Sequence, residues 1–154
     1  DHKDSETMFN IIVKSKTSKQ ARKKLEAYLN QRAKADTAIT PQLIKLSISS
    51  YNTVWMRYFL KYDPAPTLAK VKCPVLAVNG EKDLQVPSGM NLPAIEAAVK
   101  QGGNQDVIVK AFPGLNHLFQ HCEKCTVGEY GIIEETFSPE VIDFTAKWIL
   151  QKGR

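Results

Sequence analysis

Two residues have the types and the placement to move protons. Asp83 follows the apolar run Val75-Leu76-Ala77-Val78 through the turn Asn79-Gly80-Glu81-Lys82, and His117 follows Val107-Ile108-Val109-Lys110 through Phe112-Pro113-Gly114-Leu115-Asn116. Both runs read as buried strands, and the stretch between them carries a helix, so strand, helix and strand form a parallel unit. Open α/β sheets keep their chemistry at the carboxyl ends of such strands. A carboxylate placed there can orient an imidazole, and the imidazole can then take a proton from a nucleophile. The bland alternative is that Asp83 caps its turn and His117 is an ordinary loop residue.

The elements that must position this pair follow in order along the chain. Residues 4–15 read as a helix with Asp4 or Ser5 as N-cap and Met8, Ile11 and Ile12 on one face. Ser18 is expected to cap a second helix, with Ala21, Leu25, Tyr28 and Leu29 inward and Lys19, Arg22, Lys23 and Lys24 outward. Thr40-Pro41 opens a third through Leu43, Ile44 and Leu46. Asn52 is expected to cap a fourth, in which Trp55, Tyr58, Phe59 and Tyr62 share a stripe, and Asp63-Pro64-Ala65-Pro66 ends it. Beyond that point strands and helices alternate. The expected division is a helical segment, 1–62, and an α/β part, 63–154. In the second part Asn91 is expected to cap a helix that keeps Pro93 in its first turn and closes at Gly102-Gly103. Ser138-Pro139-Glu140 is the firmest helix start in the chain, ahead of Val141, Ile142, Thr145, Trp148 and Ile149.

Bulk composition narrows the function classes. The 154 residues are 43% hydrophobic and 24% charged, with a net charge of +5, a globular composition. No apolar run approaches a bilayer span, so no membrane partner is expected. The basic run Lys14 to Lys34 lies on the outer face of an amphipathic helix with Glu26 among its charges and no interleaved aromatics, so no nucleic-acid partner is expected either. The chain opens on Asp1 rather than methionine, which leaves localisation open. Two strands that look buried on both faces need neighbours. The expectation is therefore the tail of a larger sheet that is unstable alone, forms a homodimer through an exposed sheet edge, or is a proteolytic remnant.

Five stretches carry a family resemblance. Trp55-Met56-Arg57-Tyr58-Phe59-Leu60-Lys61-Tyr62-Asp63-Pro64-Ala65-Pro66, Val71 through Pro87, and Pro113-Gly114-Leu115-Asn116-His117-Leu118-Phe119-Gln120 resemble segments of α/β-hydrolase-fold serine esterases of the dienelactone hydrolase and prolyl-oligopeptidase-like kind. Glu129-Tyr130-Gly131 and Glu134 through Val141 resemble that family's last loop and helix. The resemblance runs from about Tyr51 to the C-terminus, and residues 1–50 share with it only the helical character of a cap insertion. It implies the C-terminal portion of an α/β-hydrolase sheet, two parallel strands with flanking helices, preceded by a helical cap segment. It implies Asp83 as triad acid, His117 as triad histidine, a small-molecule ester substrate and no cofactor. The nucleophile of the family, the serine of Gly-x-Ser-x-Gly, has no counterpart among serines 5, 15, 18, 47, 49, 50, 88 and 138. The missing N-terminal half of the same protein is therefore the expected partner. Trp55 and Phe59 are candidates to line an acyl pocket, although aromatics at helical spacing are more often core.

A second pattern competes for the histidine. His117, His121, Cys122 and Cys125 stand as His-x-x-x-His-Cys-x-x-Cys, ligand types that suit zinc, and they support a non-enzymatic zinc-binding or interaction module as the alternative function. The spacing fits no common finger, so no metal is the expectation. Neither a Cys122–Cys125 disulfide nor a redox role for the pair is expected, because no helix N-terminus adjoins it to lower a thiol pKa. Cys73 reads as a small buried hydrophobe at a strand start.

Overall fold

A computed structural model describes residues 2–152. It is mixed α/β, and the chain forms two compact units, Asp1–Asp63 and Pro64–Arg154.

The first unit is helical: α1 (His2–Lys14), α2 (Ser18–Ala33), α3 (Pro41–Tyr51) and α4 (Val54–Lys61). Its core is Met8 and Ile12 from α1, Leu25 and Leu29 from α2, and Ile44 and Ile48 from α3. Each pair stands four residues apart, the spacing that puts both side chains on one helical face. Threonines start three of the four helices. Thr17, Thr40 and Thr53 are extended, and each side chain accepts a hydrogen bond from the backbone N–H three residues on. Two expected caps move accordingly. Ser18 is the first residue of α2, and Asn52 ends α3, where its amide donates to the Ser18 carbonyl at 3.0 Å. In both cases the neighbouring threonine has the extended backbone a cap requires. Asp4 is no cap, because α1 already runs through it; its carboxylate accepts from Tyr28 and Arg32 of α2 and ties the two helices together. The end of α1 is held from α4. The carbonyl of buried Ser15 accepts from Arg57 at 3.2 Å and Lys61 at 3.0 Å, two cations where the helix dipole is negative.

The second unit contains α5 (Ala65–Leu68), β1 (Val75–Gly80), α6 (Ser88–Gln101), β2 (Val107–Phe112), a 3-10 turn (Val127–Glu129) and α7 (Pro139–Lys152). The strands are parallel, in register from Val75 opposite Val107 to Gly80 opposite Phe112. Asp83 and His117 therefore leave adjacent strand ends. The core centres on Phe112, Leu115 and Val141, with Val78, Phe119 and Phe144 packed on it. The strands are less covered than their apolar sequences require. Val75 to Val78 are only half-buried, and Ile108 is 40% exposed. Among the described residues the sheet has two strands, so each has one edge without a ladder partner.

The structure departs from the sequence expectations at several positions. Residues 65–68 form a helical turn although Pro66 lies in it, because proline is tolerated in a first turn. Helix α6 starts at Ser88, three residues before Asn91, whose amide donates back to the Pro87 carbonyl at 2.9 Å. Pro93 consequently sits in the second turn, and the ladder bond it cannot make is the one to exposed Gly89. Ser138 does precede α7, but its buried hydroxyl caps nothing; its N–H donates to Phe119 at 2.8 Å instead. Cys73 is an exposed free thiol rather than a buried one, since the residues before Val75 lie at the surface.

Candidate functional site

The site begins with the turn that follows β1. Asp83 is buried, its side chain 2% exposed, and one oxygen, Oδ1, accepts from the backbone N–H groups of Gln85 and Val86, each at 2.8 Å. Asn79, near the end of the strand, closes the same loop by donating to the Val86 carbonyl at 2.8 Å. The second carboxylate oxygen, Oδ2, lies 2.8 Å from Nδ1 of His117. A carboxylate can only accept, so Nδ1 carries the proton and donates. This leaves Nε2 as the imidazole nitrogen with a free lone pair, on a side chain 36% exposed.

The loop that presents His117 is built around its neighbour Asn116. Asn116 is fully buried; its Oδ1 accepts from the N–H groups of Leu118 at 2.9 Å and Gln120 at 3.0 Å, and its amide donates to the Gln120 side chain at 3.0 Å. Gln120 donates in turn to the Glu135 carbonyl at 2.9 Å. The reversal requires left-handed backbone at Gly114 and Phe119, with φ of 75° and 57°. Leu115, also fully buried, is the apolar anchor. The two loops touch directly. Lys82 donates its N–H to the Leu115 carbonyl at 3.0 Å, and a Cβ on Gly80 would stand 2.3 Å from the carbonyl oxygens of Leu115 and Asn116. Only a glycine lets β1 approach the histidine loop this closely.

His121, four residues on, is held separately. Its N–H and Nδ1 reach the Glu135 carboxylate at 2.6 and 2.9 Å. That backbone bond, with the imidazole's help, holds the Glu135 carboxyl below the usual range against the opposing effect of burial. The histidines of the His-x-x-x-His-Cys-x-x-Cys pattern thus each face a carboxylate. The cysteines form a disulfide, contrary to the expectation from sequence. Cys125 has φ of 60°, and this left-handed turn folds the chain back so that the two Cα atoms stand 5.0 Å apart, within disulfide range. The ligand atoms that converge in this region belong to Cys122, Cys125 and Glu129.

Trp55 and Phe59 lie in the helical unit and not in the unit of Asp83 and His117. Their rings stack at 5.1 Å on α4, 64% and 58% exposed, so the stripe is not core within its own unit. The sequence singled out Asp83 and His117, which the structure brings together, but not Asn79, Gly80, Asn116 and Gln120, which position them. The signals were present as Asn-Gly at a strand end and as an asparagine beside the histidine; their partners lie in other loops.

Searches against known protein families, curated proteins and solved structures find no match to this chain.

Proposed function

We propose that the second unit is the C-terminal part of a hydrolase with an α/β sheet, supplying the acid and the histidine of a nucleophile–histidine–acid triad. More particularly, the reading is a carboxylic ester hydrolase whose serine lies outside these residues and which needs no cofactor. The observation that carries it is the 2.8 Å contact from Nδ1 of His117 to the buried Asp83 carboxylate, at adjacent ends of parallel strands. The half-covered faces and open edges of the sheet support further strands beside it.

In this reading Asp83 does no proton transfer. Two backbone N–H groups hold one of its oxygens, so the other keeps the imidazole in one tautomer and stabilises the imidazolium. Nε2 of His117 takes the proton of the serine hydroxyl as that oxygen attacks the ester carbonyl. It returns the proton to the leaving alcohol, and then activates water to hydrolyse the acyl-enzyme. Ester specificity would come from residues beyond these.

The test joins sequence and chemistry. The open reading frame should carry a Gly-x-Ser-x-Gly upstream, and the longer protein should be labelled by a fluorophosphonate and cleave short-chain p-nitrophenyl esters. Residues 1–154 alone should do neither. An upstream frame with no such serine, or labelling unaffected by His117→Ala, would remove the reading.

A further inference from the structure

The turn beyond the histidine loop holds a cluster that the Asp83–His117 pair does not use. Cys122, Cys125 and Glu129 each place one ligand atom within 4.8 Å of the others, Cys125 buried and the other two half-buried. Backbone groups aim the carboxylate. Glu129 accepts from the N–H groups of Glu123 at 3.2 Å and Cys125 at 2.5 Å, and from Lys124, whose N–H is shared between both oxygens at 3.2 and 3.1 Å. These bonds run from the very turn that carries the sulfurs, so carboxylate and sulfurs belong to one short, internally bonded segment. The cluster opens onto a surface cavity of about 430 Å³ lined by His121, Cys122, Glu123, Glu129, Ile132 and Ile133. Neither histidine is required, because His117 and His121 are engaged by Asp83 and Glu135.

We propose that Cys122, Cys125 and Glu129 form a redox-gated site for a thiophilic divalent cation of the zinc class, closed while the disulfide stands and opened by its reduction. Two equivalents of a thiol reductant break the S–S bond. They yield the two cysteine thiols and leave as their own disulfide. Binding of the cation then releases the two thiol protons to solvent. Two thiolates and one carboxylate suit zinc, with water from the cavity in the fourth position. The site stands independently of the hydrolase reading, since it shares no residue with the pair.

The experiment uses the whole chain with the exposed thiol removed, Cys73→Ser, and measures zinc affinity by competition with a chromophoric chelator. The anaerobically reduced protein should bind one equivalent, and the oxidised protein should bind at least about a hundred-fold more weakly. Glu129→Gln leaves both sulfurs in place and should weaken binding about ten-fold or more in the reduced protein. Cobalt(II) in the reduced protein should show a thiolate charge-transfer band that Cys122→Ser abolishes, with circular dichroism confirming the fold of each variant. Equal affinity in the oxidised and reduced states overturns the gate. Unchanged affinity in Glu129→Gln overturns the ligand set, as does a reduced protein that takes up no metal.

Discussion

At the scale of single residues, Asp83 has every lone pair that matters assigned: two backbone donors on one oxygen and His117 on the other. Asp83→Asn keeps the shape but offers an amide to Nδ1 and so favours the wrong tautomer. In the proposed hydrolase it should lower kcat by about 10⁴ with little change in KM, measured by steady-state ester hydrolysis. Within residues 1–154 the same substitution should abolish the downfield Nδ1 proton resonance of His117, a readout that needs no nucleophile. Gly80 has the opposite character, contributing only by lacking a side chain. Gly80→Ala puts a methyl group 2.3 Å from two backbone oxygens, and neither can retreat without moving the histidine loop. It should cost about 3 kcal/mol, read as a lower urea midpoint.

At the scale of elements, the helical unit combines an apolar seam with a polar clasp. Leu25 is 1% exposed at the centre of the seam, and Leu25→Ala should destabilise by about 3 kcal/mol in chemical denaturation followed by far-ultraviolet circular dichroism. The clasp is Asp4 with Tyr28 and Arg32. The hydrogen bond from the Tyr28 hydroxyl, then the Arg32 guanidinium, lowers the Asp4 carboxyl below its ordinary value, despite some opposing desolvation. A folded-state pKa below the unfolded one gives stability that is present above the unfolded value and is lost as pH falls through the folded value. The wild-type melting temperature should therefore drop as the medium is acidified below about pH 4, the ordinary range of an aspartate. Asp4→Asn should melt lower at neutral pH and show a shallower acid slope. An acid slope unchanged by Asp4→Asn would assign it to other carboxylates.

For the molecule as a whole, the open sheet is the dominant feature. Two strands rich in valine, isoleucine and leucine stand half-covered, and among the described residues each has one edge without a ladder partner. Such edges recruit other strands. Residues 1–154 alone should self-associate, seen as a concentration-dependent rise in mass by sedimentation velocity, and in the proposed hydrolase the strands that complete the sheet should reverse it. A monomer stable to high concentration would mean that the edges are satisfied in another way.

Periodicity and punctuation were enough to read the helical character of the first sixty residues, the Thr40-Pro41 helix start, both strands and the placement of Asp83 and His117 at their ends, whereas the pairing of the two residues was implied by the family resemblance. Each depends on local side-chain spacing, or on where a strand must end. Helix starts shifted where two candidate caps stood side by side, as at Thr17-Ser18 and Asn52-Thr53, because only backbone angle decides between them. The amide network of Asn116 and Gln120, the glycine demanded at position 80 and the Cys122–Cys125 disulfide were decided by tertiary structure alone. All three depend on how closely segments approach in space, and no pattern of residue types along the chain encodes that distance.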